Sequence, residues 1–153
     1  MNSRNLRLLG RNQANIYLSK NMGENVSEDK EIIVSSVLLP ERTPLSEDES
    51  KKAPRLSLSA NSVDMSKTMG KEKVKKNVLL KNEGNDVLEI SAIQMFTKGL
   101  ELTLPKRSLK PGESTKMKIT GYIDILKKVK TRPRVLMITN DPDRQKVIIE
   151  IKK

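Results

Sequence analysis

From Arg55 to Lys153 apolar and polar residues alternate in short runs separated by turns, the period of a half-buried β-strand. Leu56 and Leu58 open the first run, and Val63 and Met65 extend it around a kink. In the second, Val74, Val78 and Leu80 share one parity while Lys73, Lys75 and Asn77 share the other. Asn82-Glu83-Gly84-Asn85 then reads as closing a hairpin, with Leu88 and Ile90 on the inward face of the third strand. Ile93 breaks that parity, which predicts a β-bulge near Ser91-Ala92. Leu100, Leu102 and Leu104 form a fourth strand ending at Pro105. Lys110-Pro111-Gly112-Glu113 has Pro at i+1 and Gly at i+2, as a type II turn requires. Met117 and Ile119 face inward on a fifth strand, and Ile125–Pro133 is a basic loop. Val135–Ile138 makes the sixth, Asn140–Asp143 a turn, and Val147, Ile149 and Ile151 the inward face of the seventh.

No segment between these runs is long enough for a crossover helix, which excludes a parallel α/β sheet. Seven short strands with regular turns predict an all-β, immunoglobulin-like antiparallel sandwich over residues 55–153. The preceding residues follow another plan. Met1–Gln13 is polar with a short Leu6–Leu9 patch, Ile16-Tyr17-Leu18 is a short strand, Asn21–Lys30 a polar turn, and Glu31–Leu38 a second strand. Residues 1–39 thus read as an extra N-terminal hairpin with a long loop. Residues 40–54 are a linker in which Leu45–Glu49 either makes one helical turn with Ser46 as N-cap or stays irregular. Ile16–Leu38 repeats the plan of Val135–Lys153: strand, Asn-containing turn, Ile/Val-rich strand. The hairpin is therefore either the closing pair of a preceding sandwich or an extension of this one. Two strands alone are marginal in water, so it should pack on the 55–153 domain or pair through an exposed edge.

Composition narrows the chemistry. The core must be aliphatic and thioether, since aromatics are 2% of the chain with one Phe and no Trp. Such a core suits closely packed sheets better than a large ligand cavity. The absence of Cys rules out disulfides and thiolate metal sites, and the absence of His rules out Ser-His triads and imidazole zinc sites. No apolar run approaches the roughly 20 residues of a membrane span, and Met1–Gly10 lacks the long apolar region of a signal peptide. No cofactor, metal site or catalytic residue is expected.

Charge is the one extreme. The net +11 is confined to residues 55–153, which carry twenty-two basic and eleven acidic residues, whereas residues 1–54 are balanced at eight each. Strand parity puts Lys73, Lys75, Lys116 and Lys118 on one outward sheet face. Lys127, Lys128, Lys130, Arg132 and Arg134 form the densest basic run. These nine are the candidate anion-binding residues, toward nucleic acid, acidic polysaccharide or an anionic membrane surface, weighed against a solvated face and an exposed loop. Stacking aromatics for single-strand recognition are missing, since Tyr17, Phe96 and Tyr122 are scattered. Asp141-Pro142-Asp143 offers too few carboxylates for Ca²⁺ and reads as a turn.

Ser62–Met65 with Met69–Glu72, then Val78–Gly84 and Leu88–Ile90, resemble the opening of a bacterial Ig-like family of unknown function. So do Leu109–Glu113 and the closing Ile138–Pro142. That family is common in Bacteroidetes and is related to ASH, Hydin and major-sperm-protein modules. The resemblance covers roughly Ala53–Lys153. It implies a non-enzymatic interaction or spacer module, tandem repetition in a larger cell-envelope protein, and a periplasmic or cell-surface location. The partner it implies is a protein or a neighbouring module. Many members carry a Cys-Gly-Cys cluster after the third strand; Gln94–Lys98 stands there, so no role of those cysteines carries over.

Overall fold

The alternating runs become strands whose every second side chain enters a shared core. β5 (Lys73–Asn82) buries Val74, Val78 and Leu80, and pairs antiparallel with β9 (Ser114–Tyr122), which buries Met117 and Ile119. β3 (Leu56–Leu58) and β7 (Leu100–Thr103) flank them in a four-stranded sheet ordered β3-β5-β9-β7. The facing sheet contains β4 (Ser62–Asp64), β11 (Lys146–Lys152), β10 (Arg134–Thr139), β6 (Leu88–Met95) and β8 (Ser108–Leu109), in the order β4-β11-β10-β6-β8. This computed structural model describes residues 9–19, 21–23, 31–39, 41, 45–66 and 72–153. The Leu6–Leu8 part of the apolar patch, most of the Asn21–Lys30 turn and the turn at Thr68–Lys71 lie outside the described residues.

The core between the sheets is aliphatic and thioether, with Leu80, Leu88, Leu109, Met117, Met137 and Ile149 wholly buried. No aromatic residue is among its buried members. This is the predicted all-β sandwich with an extra N-terminal hairpin, with three corrections of detail. Among the described residues the sandwich has nine strand segments, because the first strand divides, β3 pairing with β5 in one sheet and β4 with β11 in the other, and because Ser108–Leu109 adds the short β8 beside β6. The β4–β11 pairing is parallel, since the chain keeps its direction as it crosses the gap. Asn82–Asn85 does not close a hairpin, because β5 and β6 lie in different sheets and the turn is a corner between them. The predicted bulge is present: Ile138 faces Ala92 and Thr139 faces Ile90, leaving Ser91 unopposed. Gly112, at φ +77°, supplies the positive φ of the type II turn, and the Glu113 N–H donates to the Lys110 carbonyl at 2.9 Å.

Part of the supposed basic loop is a helix, α2 (Ile123–Lys128). Ile123 and Leu126 are three positions apart, share a helical face and are buried. The Leu126 carbonyl accepts from the Val129 N–H at 3.2 Å, and the Lys153 ammonium donates to it at 3.3 Å and also to the Val129 carbonyl, where cations suit a helix C-terminus. The linker does form its helical turn, α1 (Glu47–Lys52), with a capping box between Ser46 and Glu49. Hydrogen bonds from Ser46 hold the Glu49 carboxyl below its ordinary pKa.

Asn82 organises the corner. Its carbonyl oxygen accepts from the Arg55 and Gly84 amides at 3.3 and 3.0 Å, and its amide donates to the carbonyls of Asp86 and Leu109 at 2.7 and 2.9 Å. The side chain is fully buried, so its own amide has no water to fall back on.

The N-terminal hairpin pairs β1 (Gly10–Tyr17) with β2 (Glu31–Leu38) in full antiparallel register. Its base rests on the second sheet, where the Gln94 amide oxygen accepts from the Arg11 N–H at 2.6 Å. Gly10 permits this approach. It sits at φ +96°, and a Cβ there would meet Gln94 Oε1 at 2.6 Å. Asn82→Ala should lower unfolding free energy by about 3 kcal/mol in urea titration, because two buried and two part-buried backbone groups lose their partner. A loss within the range of a surface substitution would show that the corner is held by something else.

Candidate functional site

The four lysines expected on one face are there. β5 and β9 are neighbours, and Lys73, Lys75, Lys116 and Lys118 all project from the outer side of the four-stranded sheet. Lys81, which the sequence reading passed over, adds a fifth from the same parity of β5. The register keeps them from standing opposite one another: Lys75 faces Thr120, Lys118 faces Asn77, Lys116 faces Leu79 and Lys81 faces Ser114. Directly opposed like charges destabilise a ladder, and a staggered lattice lessens that cost.

Two of the five are partnered: the Lys81 ammonium pairs with Glu83 Oε1 at 3.3 Å, and Lys73 is held by Tyr122. The Lys73 ammonium donates to the Tyr122 hydroxyl at 2.9 Å and lies 4.6 Å from that ring's centroid, while the hydroxyl donates to Glu101 Oε1 at 2.7 Å. The hydrogen bond to Tyr122 raises the Lys73 pKa above the ordinary lysine value; the Tyr122 and Glu101 charges add to this and desolvation opposes it. Glu113, on the turn leading into β9, is lowered, chiefly by the Lys106 ammonium and then by the Lys110 N–H at 3.0 Å.

The second basic group is not gathered with the first. Lys127 and Lys128 occupy the last turn of α2, where cations suit the helix C-terminus, and Lys130 and Arg132 follow them, exposed. Arg134 opens β10 and projects from the outer face of the other sheet, opposite Glu150. The nine candidates thus divide among one sheet face, one end segment and the opposite face.

Asp141 has a structural task. Its carboxylate accepts from the amides of Leu56, Asp143 and Arg144 at 2.7, 2.9 and 3.2 Å, which makes Asp141–Asp143 the expected turn. Among the described residues no group of three acidic, His or Cys side chains is arranged to hold a metal ion.

A family model described as HYDIN/CFA65/VesB-like, Ig-like domain matches residues 54–153. The chain belongs to that family. The match begins where the sandwich begins and leaves the hairpin and most of the linker outside it. A crystal structure of a protein of unknown function from Porphyromonas gingivalis W83 is similar at 20% identity and TM-score 0.70. The similarity covers 97% of this chain, hairpin included, and this chain spans 66% of that protein's length. The ASH/PapD-like domain 7 of human CEP192 is a more distant match, at 12% identity and TM-score 0.44 over 77% of this chain and 92% of that one. No curated protein sequence matches the chain.

Because the Lys73 shift comes chiefly from Tyr122, lysine Nζ NMR titration should find Lys73 losing its proton above the ordinary lysine value. Tyr122→Phe should return it toward the ordinary value. The stability this contact contributes is complete below the unfolded lysine pKa and is lost as pH rises through the folded one. Coincident titration of Lys73 in both proteins would remove Tyr122 as the cause.

Proposed function

We propose that this chain is a non-enzymatic interaction and spacer module of a larger protein, and that the β1–β2 hairpin is its attachment surface. The observation that carries this reading is where apolar surface remains uncovered. Of fourteen large apolar side chains exposed among the described residues, eight lie between residues 16 and 39. They include Ile16, Tyr17, Ile32 and Ile33, on both faces of a sheet whose two strands pair only with each other. Such a ribbon presents apolar faces and unpaired backbone edges together, the surface a third strand or a facing sheet covers. Its likeness in plan to the β10–β11 hairpin favours a neighbouring Ig-like module as that partner, with β1–β2 as the closing pair of a preceding repeat. The absence of His and Cys supports the non-enzymatic part, and the cell-envelope setting rests on family resemblance alone.

The staggered lysine face favours a second reading, an anion-binding module. Among the outward positions of β3, β5, β7 and β9 the one acidic residue is Glu101, already held by Tyr122. With Lys81 paired to Glu83, the other ammonium groups of the face have few local counter-charges.

Sedimentation velocity of the full chain tests the first reading. Self-association should rise with concentration and be abolished by Ile16→Lys with Ile33→Lys, but not by Leu79→Lys on the sandwich. A chain that stays monomeric, with hairpin amides as protected from exchange as those of β5, would overturn it. The second reading predicts retention on heparin resin and duplex DNA above physiological salt, with a steep salt slope that Lys75→Glu with Lys118→Glu flattens by about two counterions. Elution at low salt sinks that reading and leaves the first intact.

A further inference from the structure

Where the hairpin meets the second sheet, six side chains enclose most of a cavity of about 160 Å³. Its floor is apolar: Phe96 following β6, Leu136 on β10 and Ile148 on β11. Its rim is cationic: Arg11 from the hairpin, Arg134 from β10 and Lys146 from β11. No carboxylate lines it. Glu150 stands opposite Arg134 in the ladder, yet the ion pairs among the described residues lie elsewhere, at Lys51–Asp48, Lys81–Glu83 and Lys106–Glu113. Arg11 is held in position, with its N–H on Gln94 and its guanidinium 4.9 Å from the centroid of the Phe96 ring. Ile148 keeps 39% of its surface exposed at the cavity although Leu136 beside it is buried.

We propose that this cavity binds a small organic anion, a carboxylate or sulfonate carried on a compact apolar group. The anionic head lies among Arg11, Arg134 and Lys146, where it offsets the mutual repulsion of three cations and accepts paired guanidinium hydrogen bonds. The apolar body covers Phe96, Leu136 and Ile148. Size sets the class: a water occupies about 30 Å³ of liquid, so the space takes roughly five waters or one ring-sized group. It falls below the usual range of ligand pockets, and binding should be weak, with Kd on the order of 0.1–1 mM. An inorganic anion satisfies the rim and leaves the floor wet; a neutral apolar molecule does the reverse. Since the rim joins hairpin to sandwich, the bound anion also fastens the two together.

The test is a ¹⁵N–¹H NMR titration of the full chain at fixed ionic strength with phenylacetate, and separately with sulfate and with benzyl alcohol. Saturable shifts should concentrate at Arg11, Phe96, Leu136 and Ile148 with phenylacetate, with each control weaker by roughly fivefold or more. Arg134→Ser, at an exposed position, should keep the wild-type spectrum and weaken binding by roughly tenfold. Lys118→Ser on the opposite sheet should not change it, which separates this site from the lysine face. The proposal falls if phenylacetate gives no saturable shift, if sulfate matches it, if the shifts map to the lysine face, or if folded Arg134→Ser binds as wild type.

Discussion

A chain that moves between two sheets must satisfy its backbone polar groups at each crossing without a strand to do it. Two buried side chains meet that demand here, and they act on consecutive residues. Asn82, from the β5–β6 corner, accepts the amide of Arg55, and Asp141, from the β10–β11 turn, accepts the amide of Leu56. Arg144 adds a bond to the Leu56 carbonyl at 3.4 Å. The entry to β3 is thereby tied to both sheets as the strand begins. The linker joins the same knot, because Asn85 contacts the carbonyls of Ala53 and Lys51 at 3.2 and 2.9 Å. The end of α1 and Ala53 therefore lead into the sandwich along a fixed direction.

The alternation of Val74, Val78 and Leu80 was legible because strand parity is a local property, and so were the Lys110–Glu113 turn, the Ser46 cap and the bulge at Ser91. Which sheet a strand joins is not local. Parity says that Leu80 and Leu88 both point inward, and it says the same whether β5 and β6 pair or face one another across the core. Hence the corner at Asn82–Asn85 read as a hairpin. Asn82 and Asp141 were invisible for a related reason: Asp141 answers an amide 85 residues away, and sequence offers no sign of that partner. The helix α2 was hidden by composition. Its buried pair, Ile123 and Leu126, is short and set among charges, and a two-residue face leaves little periodic signal. Lys81 shares the parity of Lys73 and Lys75, a signal that was present and not followed.

The basic excess is real in sequence and dispersed in space. Strand pairing collects Lys73, Lys75, Lys81, Lys116 and Lys118 on one face, but the residues from Lys127 to Arg132 sit at one end and Arg134 lies behind the other sheet. Exposed lysines in such an arrangement interact weakly across water, and screening within about 8 Å at physiological salt limits their cooperation. A single run of charges in a sequence therefore promises less than a pair of adjacent strands does, because the strands fix spacing.

The two outer faces of the sandwich differ in kind, and that difference bears on how the module would work. On β5 and β9 the outward positions, Leu79 apart, are charged or polar, and most are open to solvent. On β10 the outward Leu136 and Ile138 are buried, because β10 is central in its sheet and the base of the hairpin lies against that side. An apolar outer face needs a cover, and the cover here is itself a ribbon with uncovered apolar residues farther along it. In the proposed array each cover would belong to the neighbouring module, so contact would pass from one sandwich to the next through a single sheet. The opposite sheet, kept charged and unpaired, would resist stacking in the other direction. Such a module would have a polarity set by which face is apolar, and the direction of an array would follow from it.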